Sequence, residues 1–204
     1  MVKLPEIRKT LARYAAEPLV RLLAATHISP NTLTWLGFLL TLGAAALIAM
    51  GHLLAAGIMV LVAGSFDILD GALARWTNRI TRFGGILDST LDRLSDAVLL
   101  FGVLGLFLLA QEQSALFTFI PKEWSIVLVF IALASSQFVS YIRARAEAAG
   151  LECQVGLFTR AERVVVLVLG LLTSQVSIAL AIIAALSLVT FIQRSVHLWQ
   201  QTRK

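Results

Sequence analysis

Six long apolar stretches, at about residues 32 to 50, 53 to 75, 84 to 110, 124 to 148, 161 to 175 and 177 to 199, leave this chain of 204 residues little choice but helices in a membrane. Most approach the roughly 20 residues that a helix needs to cross about 30 Å of hydrocarbon, where every backbone N–H and C=O must find its partner inside the segment. The fifth is short. With 58% hydrophobic and 14% charged residues and a mean hydropathy of +0.86, the chain lies outside the range of soluble domains. The sequence reads as an all-α integral membrane protein: six transmembrane helices bundled over 32–199 behind an N-terminal amphipathic surface helix over 1–28, in one domain over 1–204.

The first thirty residues lack a compact apolar core followed by a small-residue cleavage site, so the N-terminus is expected to stay attached. Lys3, Arg8, Lys9, Arg13 and Arg21 interleave with Val2, Leu4, Ile7, Leu11, Leu19, Leu22 and Leu23, which suits a helix lying among lipid headgroups. The net charge of +5 could suggest nucleic acid, but its placement argues against that partner. With six spans, 16 of the 17 Lys and Arg residues lie in or beside segments on one side, leaving only Lys122 opposite. This asymmetry predicts a multi-pass protein of the cell (plasma) membrane with both termini and the active site cytoplasmic. Trp35, Trp76, Trp124 and Trp199 fall near span ends, as interface anchors do. Cys153 is the only cysteine, which excludes an intramolecular disulfide and a cysteine metal cluster. His27, His52 and His197 lack metal-ligand spacing and read as interfacial residues.

All five aspartates fall between residues 67 and 96. Each Asp at the centre of a membrane helix is unfavourable by about 2.5–3.5 kcal/mol, so such a group needs a cancelling charge. Asp67, Asp70, Gly71 and Ala74 share one helical face, and Gly84, Asp88 and Asp92 share another across a short loop. Carboxylates are hard oxygen ligands, and magnesium takes one or two of them together with substrate phosphate oxygens. Four on facing helices therefore suit two divalent ions and a phosphate-bearing substrate. Gly71 and Ala74 leave room for a ligand against the backbone, and Arg75 can reach a phosphate with its fork. Asp96, with Arg93 nearby, reads as structural.

The string Asp67-Ile-Leu-Asp70-Gly71-Ala-Leu-Ala74-Arg75, followed by Gly84-Gly-Ile-Leu-Asp88-Ser-Thr-Leu-Asp92, resembles the signature of the CDP-alcohol phosphotransferase family at every defining position. The resemblance implies a phospholipid-synthesising transferase that moves a lipid phosphate unit from CDP-diacylglycerol, or a CDP-linked ether lipid, to an alcohol and releases CMP. By similarity Asp67, Asp70, Asp88 and Asp92 would hold two Mg2+ ions, with Mn2+ able to replace them, and Asp92 would also be the base. Gly71, Ala74, Arg75 and Thr81 would line the CDP-lipid site, with the Pro30-Asn31 turn closing over it.

Three further arginines near cytoplasmic span ends, Arg143, Arg163 and Arg194, are expected to sit deep and form a cup for the phosphate of a soluble phospho-alcohol. Arg145, Arg160 and Arg203 read instead as snorkelling to lipid headgroups. Ser140-Tyr-Ile-Arg-Ala-Arg-Ala-Glu-Ala-Ala-Gly150, with Thr81-Arg-Phe-Gly84 and Asp92-Arg-Leu-Ser-Asp96, is similar to the inositol-phosphate-using branch of the family and its archaeal ether-lipid counterparts. That branch tends to carry Lys where Arg143 stands and Pro where Ala161 stands. Inositol phosphate is thus the expected acceptor, with glycerol 3-phosphate the alternative. A proton- or cation-coupled transporter is the alternative of another class, opposed by carboxylates confined to one membrane face. Relatives are commonly homodimers, and Gly102, Gly105 and the Gly43-Ala-Ala-Ala46 run offer small-residue surfaces for contact between or within chains.

Overall fold

Two of the helix starts beside the aspartates are fixed by capping side chains. Ser29 Oγ accepts from the Thr32 N–H at 3.2 Å with Pro30 in the first turn, and Thr81 Oγ1 accepts from the Gly84 N–H at 2.9 Å, so each caps the helix that follows. A computed structural model describes residues 19–26, 28–153 and 155–203, and among these the chain is all-helical. A helical stretch at 19–25 precedes α1 (Pro30–Ala49), α2 (Leu53–Trp76), α3 (Arg82–Leu109), α4 (Lys122–Ala148), α5 (Arg160–Leu172) and α6 (Val176–Thr202), with a 3-10 turn at Ala115–Phe117. The expected surface helix falls mostly on residues 1–18, outside the described residues, as does His27.

Four helices, α1, α2, α4 and α6, are long and apolar enough to cross a membrane, with mean hydropathy of 1.9, 1.9, 1.9 and 2.3. α3 is 28 residues long but carries Asp88, Asp92, Arg93 and Asp96 on the N-terminal side of Ala97. α5 has 13 residues, a rise of about 20 Å at 1.5 Å per residue. The fifth apolar stretch thus ends earlier than its hydrophobicity predicts, because the chain turns through Thr173 and Ser174, the latter at φ +57°.

The helices close a ring of side-by-side contacts: α1 on α2, α2 on α5, α5 on α6, α6 on α4, α4 on α3 and α3 on α1. Outward-facing positions are large and apolar, including Leu39, Leu54, Leu61, Phe101, Phe130 and Leu186, whereas Ser125, Ser135, Ser136, Ser177, Ser187 and Thr190 are buried between helices. That distribution suits a surface bathed in hydrocarbon, where small residues let helix backbones approach. Gly102 is the tightest approach of α3 to α1, since a Cβ there would lie 2.6 Å from the Ala45 carbonyl oxygen. Gly105 meets Ala49, and Gly43 meets Met59. The small-residue runs are therefore used within the chain.

At the end away from the aspartates, Lys122 donates to the Ala110 carbonyl at 2.7 Å and so closes the C-terminus of α3. At the aspartate end, Gly156 lies against α6. Its φ of +132°, and the 2.7 Å that would separate a Cβ from Thr190 Cγ2, admit only glycine without strain.

Candidate active site

α2 and α3 do not pack closely on one another among the described residues; α1 lies against both, and the aspartates face the gap that remains. Thr34 of α1 donates to Asp70 Oδ2 at 2.6 Å, fixing a carboxylate that is 5% exposed. Nearby, Gly37 lets α1 approach α2 so closely that a Cβ would stand 3.1 Å from Phe66 Cβ, beside Asp67.

A cation enters the gap from across the bundle. Arg160, the first residue of α5, places Nη1 2.7 Å from both Asp67 Oδ2 and Asp92 Oδ1, with Nε 3.5 Å from Asp96 Oδ1. Two carboxylates touching one nitrogen lie within two hydrogen-bond lengths of each other, although they belong to different helices. The start of α5 is pinned by Glu162, whose carboxylate accepts from the Thr159 N–H at 2.8 Å and from the Thr159 hydroxyl. Reading Arg160 as a snorkelling residue is thus overturned, because its charge is spent on the aspartates. Asp96, expected to be structural beside Arg93, takes other partners: Arg163 Nη2 at 2.7 Å and Arg160, while Arg93 turns to the Ser89 carbonyl on its own helix.

Two cavities meet at Asp88. The first, of about 250 Å³, is lined by Pro30, Asn31, Gly71, Ala74, Arg75 and Thr81, the six positions expected for the CDP-lipid, together with Asp70 and Asp88. Thr34, Arg79, Ile80 and Gly85 also line it and were missed in the sequence. The Arg75 guanidinium folds back over Gly71, where a Cβ would lie 3.2 Å from Nη1. Gly84 serves similarly, facing Thr81 Oγ1 and Asn31 Oδ1.

The second cavity, of about 320 Å³, is lined by Asp88, Asp92, Asp96, Arg143, Arg160, Arg163 and Arg194, among others. Arg163 and Arg194 are each 4% exposed. Arg194 donates from Nη1 to the Val139 carbonyl at 2.5 Å and from Nε to the Val155 carbonyl at 2.9 Å, so its head is locked. Arg163 leaves Nε and Nη1 buried with no protein partner, an arrangement costly enough to call for an anion. Arg143 departs from the expected depth: its side chain is 54% exposed and pairs with Glu147 at 2.9 Å. A one-turn pair on an outer helix end satisfies it without burial.

Among the described residues no three His, Cys, Asp or Glu side chains close into a ready metal cage. The donor set nevertheless fits divalent ions, because Asp67 and Asp92 already share one cation, in the form of the guanidinium. Hard carboxylate oxygens from two helices, beside a cavity with room for phosphate, are the donors that magnesium and manganese take.

Acidic residues on two helix faces between a small-residue cradle and a guanidinium-lined cavity, in a ring of apolar helices, define a membrane transferase acting on phosphate groups. Residues 27–193 match the CDP-alcohol phosphatidyltransferase family, and the chain belongs to it. Archaetidylinositol phosphate synthase of Pyrococcus horikoshii is 39% identical over 191 residues, 93% of this chain and 91% of that protein. The crystal structure of Mycobacterium tuberculosis phosphatidylinositol phosphate synthase with CDP-DAG bound matches with a TM-score of 0.81 at 32% identity, covering 90% of this chain and 93% of that one. The same enzyme in complex with manganese and citrate matches with a TM-score of 0.80 at 32% identity, over 90% and 88% of the two chains.

Proposed function

We propose that this enzyme transfers the phosphatidyl group, or its ether-lipid equivalent, from a CDP-linked lipid to a hydroxyl of inositol phosphate and releases CMP. The observation that carries this reading is the meeting of two cavities at Asp88, one offering the small-residue cradle and the other buried guanidinium groups beside Asp92. Related enzymes named for inositol phosphate products, and a CDP-DAG complex of one of them, support the choice of substrates.

In this reading the nucleotide end of the lipid lies along Gly71, Ala74 and Thr81, beneath Pro30 and Asn31, with Arg75 on its phosphates. Asp67, Asp70, Asp88 and Asp92 would hold two divalent ions, magnesium or manganese, which when bound would supply positive charge to the diphosphate and to the departing CMP. Asp92 takes the proton of the attacking hydroxyl as its oxygen bonds to the lipid-side phosphorus and the bond to CMP breaks. Arg163 and Arg194 seat the acceptor's phosphate, with Arg143 at the rim. Because every reacting group is positioned before the step, much of the rate comes from orientation.

The six-span count, with α3 and α5 completing the crossing, and the cytoplasmic placement of the active site in the plasma membrane belong to the same proposal. The closed ring of helices and the one-sided Lys and Arg residues support them.

The test is CMP release by purified protein given CDP-diacylglycerol and, in turn, inositol phosphate, glycerol 3-phosphate, inositol and serine, with magnesium or with chelator. Inositol phosphate is expected to be the preferred acceptor, and chelator to stop turnover. Preference for glycerol 3-phosphate would overturn the acceptor, and undiminished turnover in chelator would overturn the ions. Asp92→Asn is expected to abolish CMP release while CDP-lipid binding persists. Full activity in that variant removes the base.

A further inference from the structure

Arg160 touches the carboxylates of both aspartate-bearing helices through a single nitrogen, 2.7 Å from Asp67 Oδ2 and 2.7 Å from Asp92 Oδ1. Its remaining charge faces Asp96, and its side chain, 29% exposed, borders the second cavity. A monovalent guanidinium so placed relieves the repulsion between α2 and α3 as a metal ion would. It also competes with one, since a divalent ion needs oxygens from the same two carboxylates and repels a like charge held against them.

We propose that Arg160 is a resident counter-ion of the metal site, holding the carboxylates of α2 and α3 together before the ion arrives and being expelled by it. Its destination is already at hand, because Asp96 lies beside it and the second cavity is open next to it. The enzyme would thus avoid leaving Asp67 and Asp92 bare in a low-dielectric setting, before or after the ion binds. The cost is a weaker ion affinity than the same carboxylates would have alone. This inference rests on the reading of Asp67 and Asp92 as metal ligands.

The test is Mn2+ binding to purified substrate-free protein, followed by the disappearance of the free-ion EPR signal, in wild type, R160M and R160K. Removing a competing charge at this distance should tighten Mn2+ binding by about tenfold or more in R160M. R160K, whose ammonium is a single point of charge, should fall between. The thermal midpoint of R160M should drop in chelator and recover with Mn2+ by more than wild type gains. A folded R160M that binds Mn2+ no tighter than wild type overturns the proposal. So does an R160K that matches wild type, should R160M fail to fold even with the ion. D67N and D92N separate the two layers: if both bind Mn2+ like wild type, the metal-site reading itself falls.

Discussion

Arg163→Ala tests the proposed acceptor side of the site. In the wild type, Nη2 is committed to Asp96 at 2.7 Å, while Nε and Nη1 are buried without a partner at the wall of the second cavity. A phosphate seated there takes one or two charge-assisted hydrogen bonds, each contributing about 1.5–3 kcal/mol. One such bond lost corresponds to a rise in the acceptor KM of roughly ten- to 150-fold, at about 1.4 kcal/mol per decade. The substitution also strips Asp96 of its close partner. Breaking a fully buried pair destabilises by about 3–5 kcal/mol, and the low end applies here because Asp96 is 10% exposed and keeps Arg160 at 3.5 Å. The assay is the initial rate of CMP release with inositol phosphate varied at saturating CDP-diacylglycerol, then the reverse, beside a thermal midpoint for each variant. Acceptor KM should rise steeply and CDP-lipid KM stay close to wild type. Arg163→Lys should recover the fold but little of the affinity, since the ammonium lacks the separated nitrogens with which the guanidinium fork spans Asp96 and a phosphate. An unchanged acceptor KM, or an equal rise for both substrates, refutes the assignment.

Thr34→Val removes the 2.6 Å hydrogen bond to Asp70 without changing side-chain size. Loss of such an outer-shell contact weakens metal affinity by about ten- to a hundredfold, so the magnesium concentration for half-maximal CMP release should rise accordingly; an unaltered requirement would separate Asp70 from the ions. Gly84→Ala puts a Cβ 2.9 Å from Thr81 Oγ1 and 3.2 Å from Asn31 Oδ1. CDP-lipid KM should rise while acceptor KM holds, and the opposite pattern would misplace the nucleotide. Gly102→Ala drives a methyl to 2.6 Å from a backbone oxygen of α1. Overpacking of this kind destabilises by about 1–3 kcal/mol, read as a lower thermal midpoint in detergent; an unchanged midpoint would mean that α1 and α3 separate freely.

Much of the site was legible because it is local. Asp67, Asp70, Gly71 and Ala74 recur at the three- and four-residue spacing of one helix face, as do Gly84, Asp88 and Asp92 on the next helix. The six positions that the family resemblance implied for the CDP-lipid come from α1, α2 and the turn before α3, and all of them line the first cavity. Thr34 was missed although it stands three and four residues beyond Asn31 and Pro30, on the face that forms that wall. Arg160 was missed for a deeper reason. It lies 93 positions from the aspartate it binds, and nothing near it in the chain announces the pairing. The available signal was Thr159 with Glu162, a capping pair that fixes where α5 starts and places Arg160 and Arg163 one turn apart.

The amino-acid order by itself determined the apolar helices and the acidic faces, since each follows from hydrophobicity or from a period of 3.6 residues read within one segment. Tertiary structure alone decided which guanidinium meets which carboxylate. It left Arg143 at the rim, turned Asp96 toward α5 and set Arg160 between two helices. Those pairings depend on the tilt and stagger of helices distant in the chain, which are fixed by close contacts such as Gly102 on Ala45 and not by any local pattern.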